Sequence, residues 1–305
     1  MIRIRNPVEH SEGDMADVCF AEISEEYTKH SQKKPRAALK AIEKELRERI
    51  RLYIQHRGDP AQLGPSPFSR TKSVQNKANK KNANSGAKKS AGDYLFDRYR
   101  SGNETDSVIV DHAKRVSVGF CPYCSMSMRR KAHGVSLDRD HILPRSAYPE
   151  FSLLRVNLII ACDGCNDAKK SAVFDDAGQW KWVHPYFDSF LAIPLLAVVL
   201  SYSNNSITPK FAIREDLPLA IKERVKRHFR YMDLKIRYAD DPLRELTNIV
   251  EAHRGLVQSV DDVPRSARAF MRQGFQMVSL RPNDPLGHAL IALGRSADLN
   301  KILGL

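Results

Sequence analysis

The chain has 305 residues, 42% of them apolar, enough for one core with extensions or for two small domains. A formal charge of +13 and a pI of about 9.5 set up a field that attracts polyanions, which makes nucleic acid the natural partner. Five cysteines make no even disulfide framework, the start Met-Ile-Arg-Ile-Arg has no signal-peptide core, and the longest apolar run, Phe190 to Leu200, is interrupted by Pro194 and is shorter than the ~20 residues of a membrane helix. A secreted disulfide scaffold and a membrane protein are not expected, and a cytoplasmic location is.

Residues 1–57 read as an N-terminal helical region with two helices between 14 and 56. Pro35 opens the second, and Leu39, Ile42, Leu46, Ile50 and Tyr53 recur at three- and four-residue spacing. Its opposite face mixes Lys40, Lys44, Arg47, Arg49 and Arg51 with Glu43, Glu45 and Glu48, the pattern of a solvated surface. Cys19 falls in an apolar pattern with Phe20 and Ile23 and is expected in a core.

Residues 58–92 turn abruptly to Gly, Pro, Ser, Asn and Lys, a composition that cannot bury enough apolar area to offset its ordering entropy. Arg70, Lys72, Lys77, Lys80, Lys81, Lys88 and Lys89 suit it to phosphate contacts, and a basic spacer is the alternative.

Residues 93–172 read as one domain, opening with a helical stretch over 93–116. Cys121-Pro-Tyr-Cys124 and Cys162-Asp-Gly-Cys165 are two pairs of the kind whose tight turns aim both thiolates at one tetrahedral zinc. Between them lie Leu137-Asp-Arg-Asp140-His141-Ile-Leu-Pro144 and Asn157-Leu-Ile-Ile-Ala. Ser136 to Ile142 reads as one strand, Val156 to Ala161 as a second, and Cys165 to Ser171 as the start of a helix with Asn166 in its first turn. Asp140, His141 and Asn166 are hard oxygen and nitrogen donors, suited to Mg²⁺ or Mn²⁺ and to activating water. The cage is therefore read as structural and the polar set as catalytic. Asp138 shares a strand face with Asp140, as an orienting group or a solvated carboxylate, and no metal is assigned to His112, His133 or His184.

Residues 173–305 read as a mostly helical C-terminal region. The aromatic corner Trp180-Lys-Trp-Val-His-Pro-Tyr-Phe-Asp188 comes first, then a hairpin of Leu195–Tyr202 and Ser206–Ile213 around Asn204-Asn205. Helices follow over Leu217–Tyr231, Pro242–His253, Pro264–Val278 and Pro285–Leu293, several opened by proline.

At Cys121-x-x-Cys124, Asp140-His141, Asn157 and Cys162-x-x-Cys165-Asn166-x-x-Lys169 the chain resembles the HNH endonucleases, whose ββα-metal motif places Asp-His, Asn and Asn or His in this order. The resemblance implies an α+β fold, a zinc-braced ββα core with large mostly α-helical flanks. It makes His141 the general base and Asp140 with Asn166 the ligands of a catalytic Mg²⁺ or Mn²⁺. Asn157 holds the loop after His141, and Lys169 and Lys170 are candidate phosphate contacts. The plan, with its His-Pro-Tyr-Phe-Asp stretch, is similar to the HNH subunits of bacterial ATPase-nuclease defence systems such as Septu and its retron-linked relatives. The expected function is thus phosphodiester hydrolysis in DNA by a defence effector with an ATPase partner. The alternatives are an RNA-directed nuclease or a nucleic-acid-binding module without catalysis.

Overall fold

The computed structural model describes residues 12–29, 37, 40–68, 119–128, 138–169, 174–175, 177–204, 206–257 and 259–305. Pro35, Leu39, the helix expected over 93–116, Lys170 and the part of the basic segment from 69 to 92, which holds all seven of its named basic residues, lie outside these residues. Among the described residues the chain is a mixed α/β protein with a helical majority and two antiparallel two-stranded sheets, and no helix is long and apolar enough to cross a membrane.

Helices α1 (Glu12–Lys29) and α2 (Glu43–Gln55) pack on one another and lead into the short α3 (Pro60–Leu63). On α2 the residues Leu46, Ile50, Tyr53 and Ile54 are buried, as their helical spacing dictates, and Cys19, Phe20 and Ile23 of α1 are buried too. Arg49 departs from the expected solvated face. Its guanidinium turns inward, with Nη2 2.9 Å from Glu150 Oε1 and Nη1 on the Leu63 carbonyl. Glu150 also accepts from Ser66 Oγ at 2.6 Å, so the buried carboxylate is paired on both oxygens.

The centre is a strand-strand-helix unit. Strand β1 (Asp138–His141) runs antiparallel to β2 (Leu158–Ala161), with Asp140 opposite Ile159 and His141 opposite Leu158. Strand β2 is buried throughout, which its run of Leu, Ile, Ile and Ala explains. Strand β1 is polar in sequence and owes its form to this pairing. The six-residue helix α4 (Asp163–Ala168) follows.

The chain after α4 wraps this unit. Strands β3 (Leu196–Ser203) and β4 (Ser206–Ile213) form the expected hairpin, with Asn204 at φ 50°, a left-handed conformation that asparagine tolerates. Helices α5 (Leu219–Tyr231), α6 (Leu234–Arg254), α7 (Val263–Leu280), α8 (Pro285–Gly294) and α9 (Leu299–Leu303) complete it.

Helix α6 corrects the expected start at Pro242. Proline inside a helix removes a hydrogen bond and costs ~3 kcal/mol, yet α6 runs through it. Leu234, Tyr238, Pro242, Leu246 and Val250 lie four residues apart and are all buried. Burial of that stripe offsets the local penalty, and it adds two turns ahead of the proline that carry Arg237 and Tyr238 to the cysteines.

One buried apolar cluster joins the N-terminal helices, the strand-strand-helix unit and the C-terminal region. Gly58 marks where they meet. It has φ +70°, and a β-carbon there would fall 2.8 Å from the His184 ring and 3.0 Å from Tyr53.

Candidate metal centre and polar site

The four thiols of Cys121, Cys124, Cys162 and Cys165 lie within 4.8 Å of one another. The sulfurs of Cys124 and Cys162 are 3.8 Å apart, the spacing of about 3.8 Å that tetrahedral Zn–S bonds of ~2.3 Å require. Two tight turns build the cluster. Ser125, at φ 63°, closes the first, where its N–H donates to Cys121 O at 2.8 Å. In the second, the N–H groups of Cys165 and Asn166 both donate to Cys162 O at 3.0 Å. Donor type, spacing and burial all fit one structural zinc.

Helices α5 and α6 clamp this cluster. Arg237 donates from Nη1 to Cys165 Sγ at 2.9 Å and from Nη2 to Cys162 Sγ at 3.0 Å, with Cys124 Sγ at 3.7 Å. Its neighbour Tyr238 donates its hydroxyl to Cys124 O at 2.7 Å. His228 sits 2.8 Å from Tyr123 O through Nε2, and its Nδ1 accepts from Val183 N at 3.3 Å. A carbonyl can only accept, so Nε2 carries the proton and the ring is neutral. Burial pushes the His228 pKa down to about 3. Hydrogen bonds from the neighbouring thiols, with the charge of Arg237 adding to them, hold Cys162 far below the usual thiol range.

Asp140 lies in a second polar cluster directly behind the first. Its carboxylate accepts from Lys169 Nζ, which also donates to Tyr123 Oη at 2.7 Å and to His141 O at 2.8 Å. Tyr123 sits between the first two cysteines, so the cage and the polar cluster share a residue. Burial raises the Asp140 pKa against the pull of Lys169, and burial lowers that of Lys169 against the pull of Asp140. The Lys169 ammonium thus faces inward with all three protons engaged, a different place from the phosphate contact expected of it.

His141, next on the strand, is held at Nε2 by Ser152 O at 3.0 Å. Since the carbonyl must accept, Nε2 bears a proton and donates it to Ser152 O. The chain after His141 is fully tied. Ile142 N donates to Asn157 O at 2.8 Å, and Ile142 O accepts from Trp182 Nε1 at 3.1 Å. Asn157, wholly buried, accepts at Oδ1 from Leu143 N at 2.7 Å and donates at Nδ2 to Leu143 O at 3.1 Å and Phe151 O at 3.0 Å.

Two residues not assigned from sequence extend this network. Tyr53 of α2 places its hydroxyl 3.0 Å from Asn157 Oδ1 and 3.0 Å from His184 Nε2. His184 Nδ1 accepts from Tyr186 N at 3.3 Å, which leaves the proton on Nε2 and orders a relay from His184 through Tyr53 to Asn157. Tyr186 in turn donates to Leu158 O at 2.8 Å, and Asp188 accepts from His184 N at 2.6 Å and pairs with Arg224. The aromatic corner is therefore a brace for β1 and β2. Asn166 lies on α4, partly exposed, one residue past Cys165 and three before Lys169.

No protein-family model matches the chain, and no solved structure matches it. The chain is 26% identical over 143 residues to protein ea31 of Escherichia phage lambda. The aligned stretch covers 46% of this chain and 46% of that protein, so the chain spans about half the length of the curated relative it matches.

Proposed function

We propose that the protein is a metal-dependent endonuclease of the HNH kind that hydrolyses phosphodiester bonds in DNA, with a zinc-braced strand-strand-helix unit as its catalytic core. The observation that carries this reading is the presentation of His141. Its proton is fixed on Nε2 by Ser152 O, its loop is pinned by Asn157, and a buried carboxylate precedes it on the strand. With Nε2 bound to a carbonyl, His141 in its neutral form would be the general base that takes a proton from water at Nδ1. Asn157 has no vacant hydrogen-bonding capacity for chemistry and acts as a positioning residue. Asp140 and Asn166 offer the hard oxygens that would hold Mg²⁺ or Mn²⁺, and electrostatic relief of charge on the scissile phosphate is what such an ion supplies when bound. The formal charge of +13 supports a polyanionic substrate. Assembly with an ATPase in anti-phage defence is proposed on the resemblance of plan alone.

One contact favours a second reading, a nucleic-acid-binding module without cleavage. Lys169 already satisfies Asp140, as it would in a purely structural ion pair. Purified protein incubated with supercoiled DNA, linear DNA and tRNA, each with Mg²⁺, Mn²⁺ or chelator, separates the readings. Metal-dependent nicking or linearisation of DNA supports the nuclease, cleavage of tRNA alone redirects it to RNA, and tight DNA binding without cleavage supports the module.

A further inference from the structure

We propose that Arg237 is a working component of the cysteine cage, a positioning residue that balances its charge and sets how firmly it keeps its metal, coupling helix α6 to the strand-strand-helix unit. The proposal rests on the reading that the four cysteines hold one zinc.

Four thiolates around Zn²⁺ carry a net charge of −2, and Cys121, Cys124 and Cys165 are wholly buried. A buried charge of that size is costly unless it is paired and hydrogen-bonded. Arg237 supplies both. Its planar fork reaches the sulfurs of both cysteines of the second pair, at 2.9 and 3.0 Å, with a more distant approach to Cys124 of the first. Lysine keeps the charge but replaces the rigid planar fork with a single donor atom on a flexible stem. The approach is built into the backbone at Gly164, where a β-carbon would stand 3.1 Å from Arg237 Cζ and 3.2 Å from Nε. An N–H donated to a thiolate withdraws electron density from sulfur. It lowers the sulfur's basicity and slows its capture by protons, electrophiles or a competing chelator.

Tyr238 gives the internal control. It lies beside Arg237 on α6 and also holds the cage, but through the Cys124 carbonyl and not through sulfur. Loss of its hydroxyl should loosen the docking of α6 without altering the thiolates.

The experiment compares wild type with Arg237→Met, Arg237→Lys and Tyr238→Phe. Three quantities are read: zinc per chain, the rate of zinc transfer to a colorimetric chelator at neutral pH, and the sulfur-to-metal charge-transfer band after Co²⁺ substitution. Wild type should hold about one zinc. Arg237→Met should release it roughly ten- to a hundredfold faster, with the Co²⁺ band moved to longer wavelength, and Arg237→Lys should fall closer to Met than to wild type. Tyr238→Phe should melt earlier yet keep the wild-type band and release rate. Folded Arg237→Met with the release rate and band of wild type would overturn the proposal. If the Met variant does not fold, Arg237→Lys carries the test, and wild-type behaviour in it overturns the proposal equally. Wild type without zinc or any other thiolate-bound metal would instead overturn the cage reading itself, and the role of Arg237 with it.

Discussion

The Tyr53 hydroxyl, from the N-terminal helix α2, stands 3.0 Å from Asn157 Oδ1, which in turn holds the Leu143 N–H two residues past His141. The helix that precedes the strand-strand-helix unit is in this way part of the support of its proposed base. Tyr53→Phe keeps the ring but strands the His184 Nε2–H, so the variant should lose ~1–3 kcal/mol of stability. Its cleavage rate should fall less than that of a His141 variant. Unchanged denaturant unfolding would show that the relay contributes nothing.

Asn157→Asp is nearly isosteric and chemically opposite. It replaces the two protons facing Leu143 O and Phe151 O with lone pairs, so a buried carboxylate meets two carbonyls. We expect a loss of about 3 kcal/mol or more, large enough to see as poor expression or a much lower melting temperature. A variant as stable as wild type would remove Asn157 from the role of loop anchor.

Lys169→Met tests whether Asp140 is a metal ligand waiting behind an ammonium or one half of a structural pair. Removing the ammonium leaves a buried carboxylate unpaired, at a cost of ~3–5 kcal/mol. If Asp140 binds a divalent ion, millimolar Mn²⁺ should restore the melting temperature of Lys169→Met and raise that of wild type much less. Equal effects of Mn²⁺ on both proteins would favour the structural pair.

His228 gives a pH dependence with a definite sign. Its folded pKa is depressed from an ordinary value of ~6.5 to about 3, so between these values the unfolded chain binds a proton that the folded one refuses. Stability should therefore rise with pH through this window and be complete above ~6.5, with ~2 kcal/mol lost by pH 5. The check is thermal unfolding from pH 5 to pH 7.5 in excess zinc. His228→Gln keeps a donor for Tyr123 O and does not titrate, so its profile should be flatter.

Much of this arrangement is legible in the chain because it is local. Each Cys-x-x-Cys pair is a turn, and β2, the hairpin at Asn204 and most helices follow from periodicity and turn chemistry. What escapes is long-range or depends on side-chain direction. Arg237 is 72 positions from Cys165 and looks like any exposed arginine in sequence, and its helix is hidden by Pro242, whose local penalty is outweighed by a buried stripe. Tyr53 belongs to an apolar stripe that predicts burial, and nothing in its spacing says that its hydroxyl meets Asn157 and His184. Lys169 follows Cys165-Asn166 as in a phosphate-binding helix, yet Asp140 and Tyr123 draw it inward. A cue did exist for His184. A histidine amid two tryptophans, a tyrosine and a phenylalanine is in a place where burial enforces neutrality and a hydrogen-bonded role.

The most direct measurement is cleavage of supercoiled DNA by wild type and His141→Ala, with zinc content and DNA affinity determined on the same preparations. Wild type should nick or linearise the plasmid only with Mg²⁺ or Mn²⁺ present. His141→Ala should hold the same zinc and bind DNA equally well while cleaving roughly a hundred- to ten-thousandfold more slowly. Cleavage by His141→Ala at the wild-type rate, or no metal-dependent cleavage by wild type on any nucleic acid, would contradict the account.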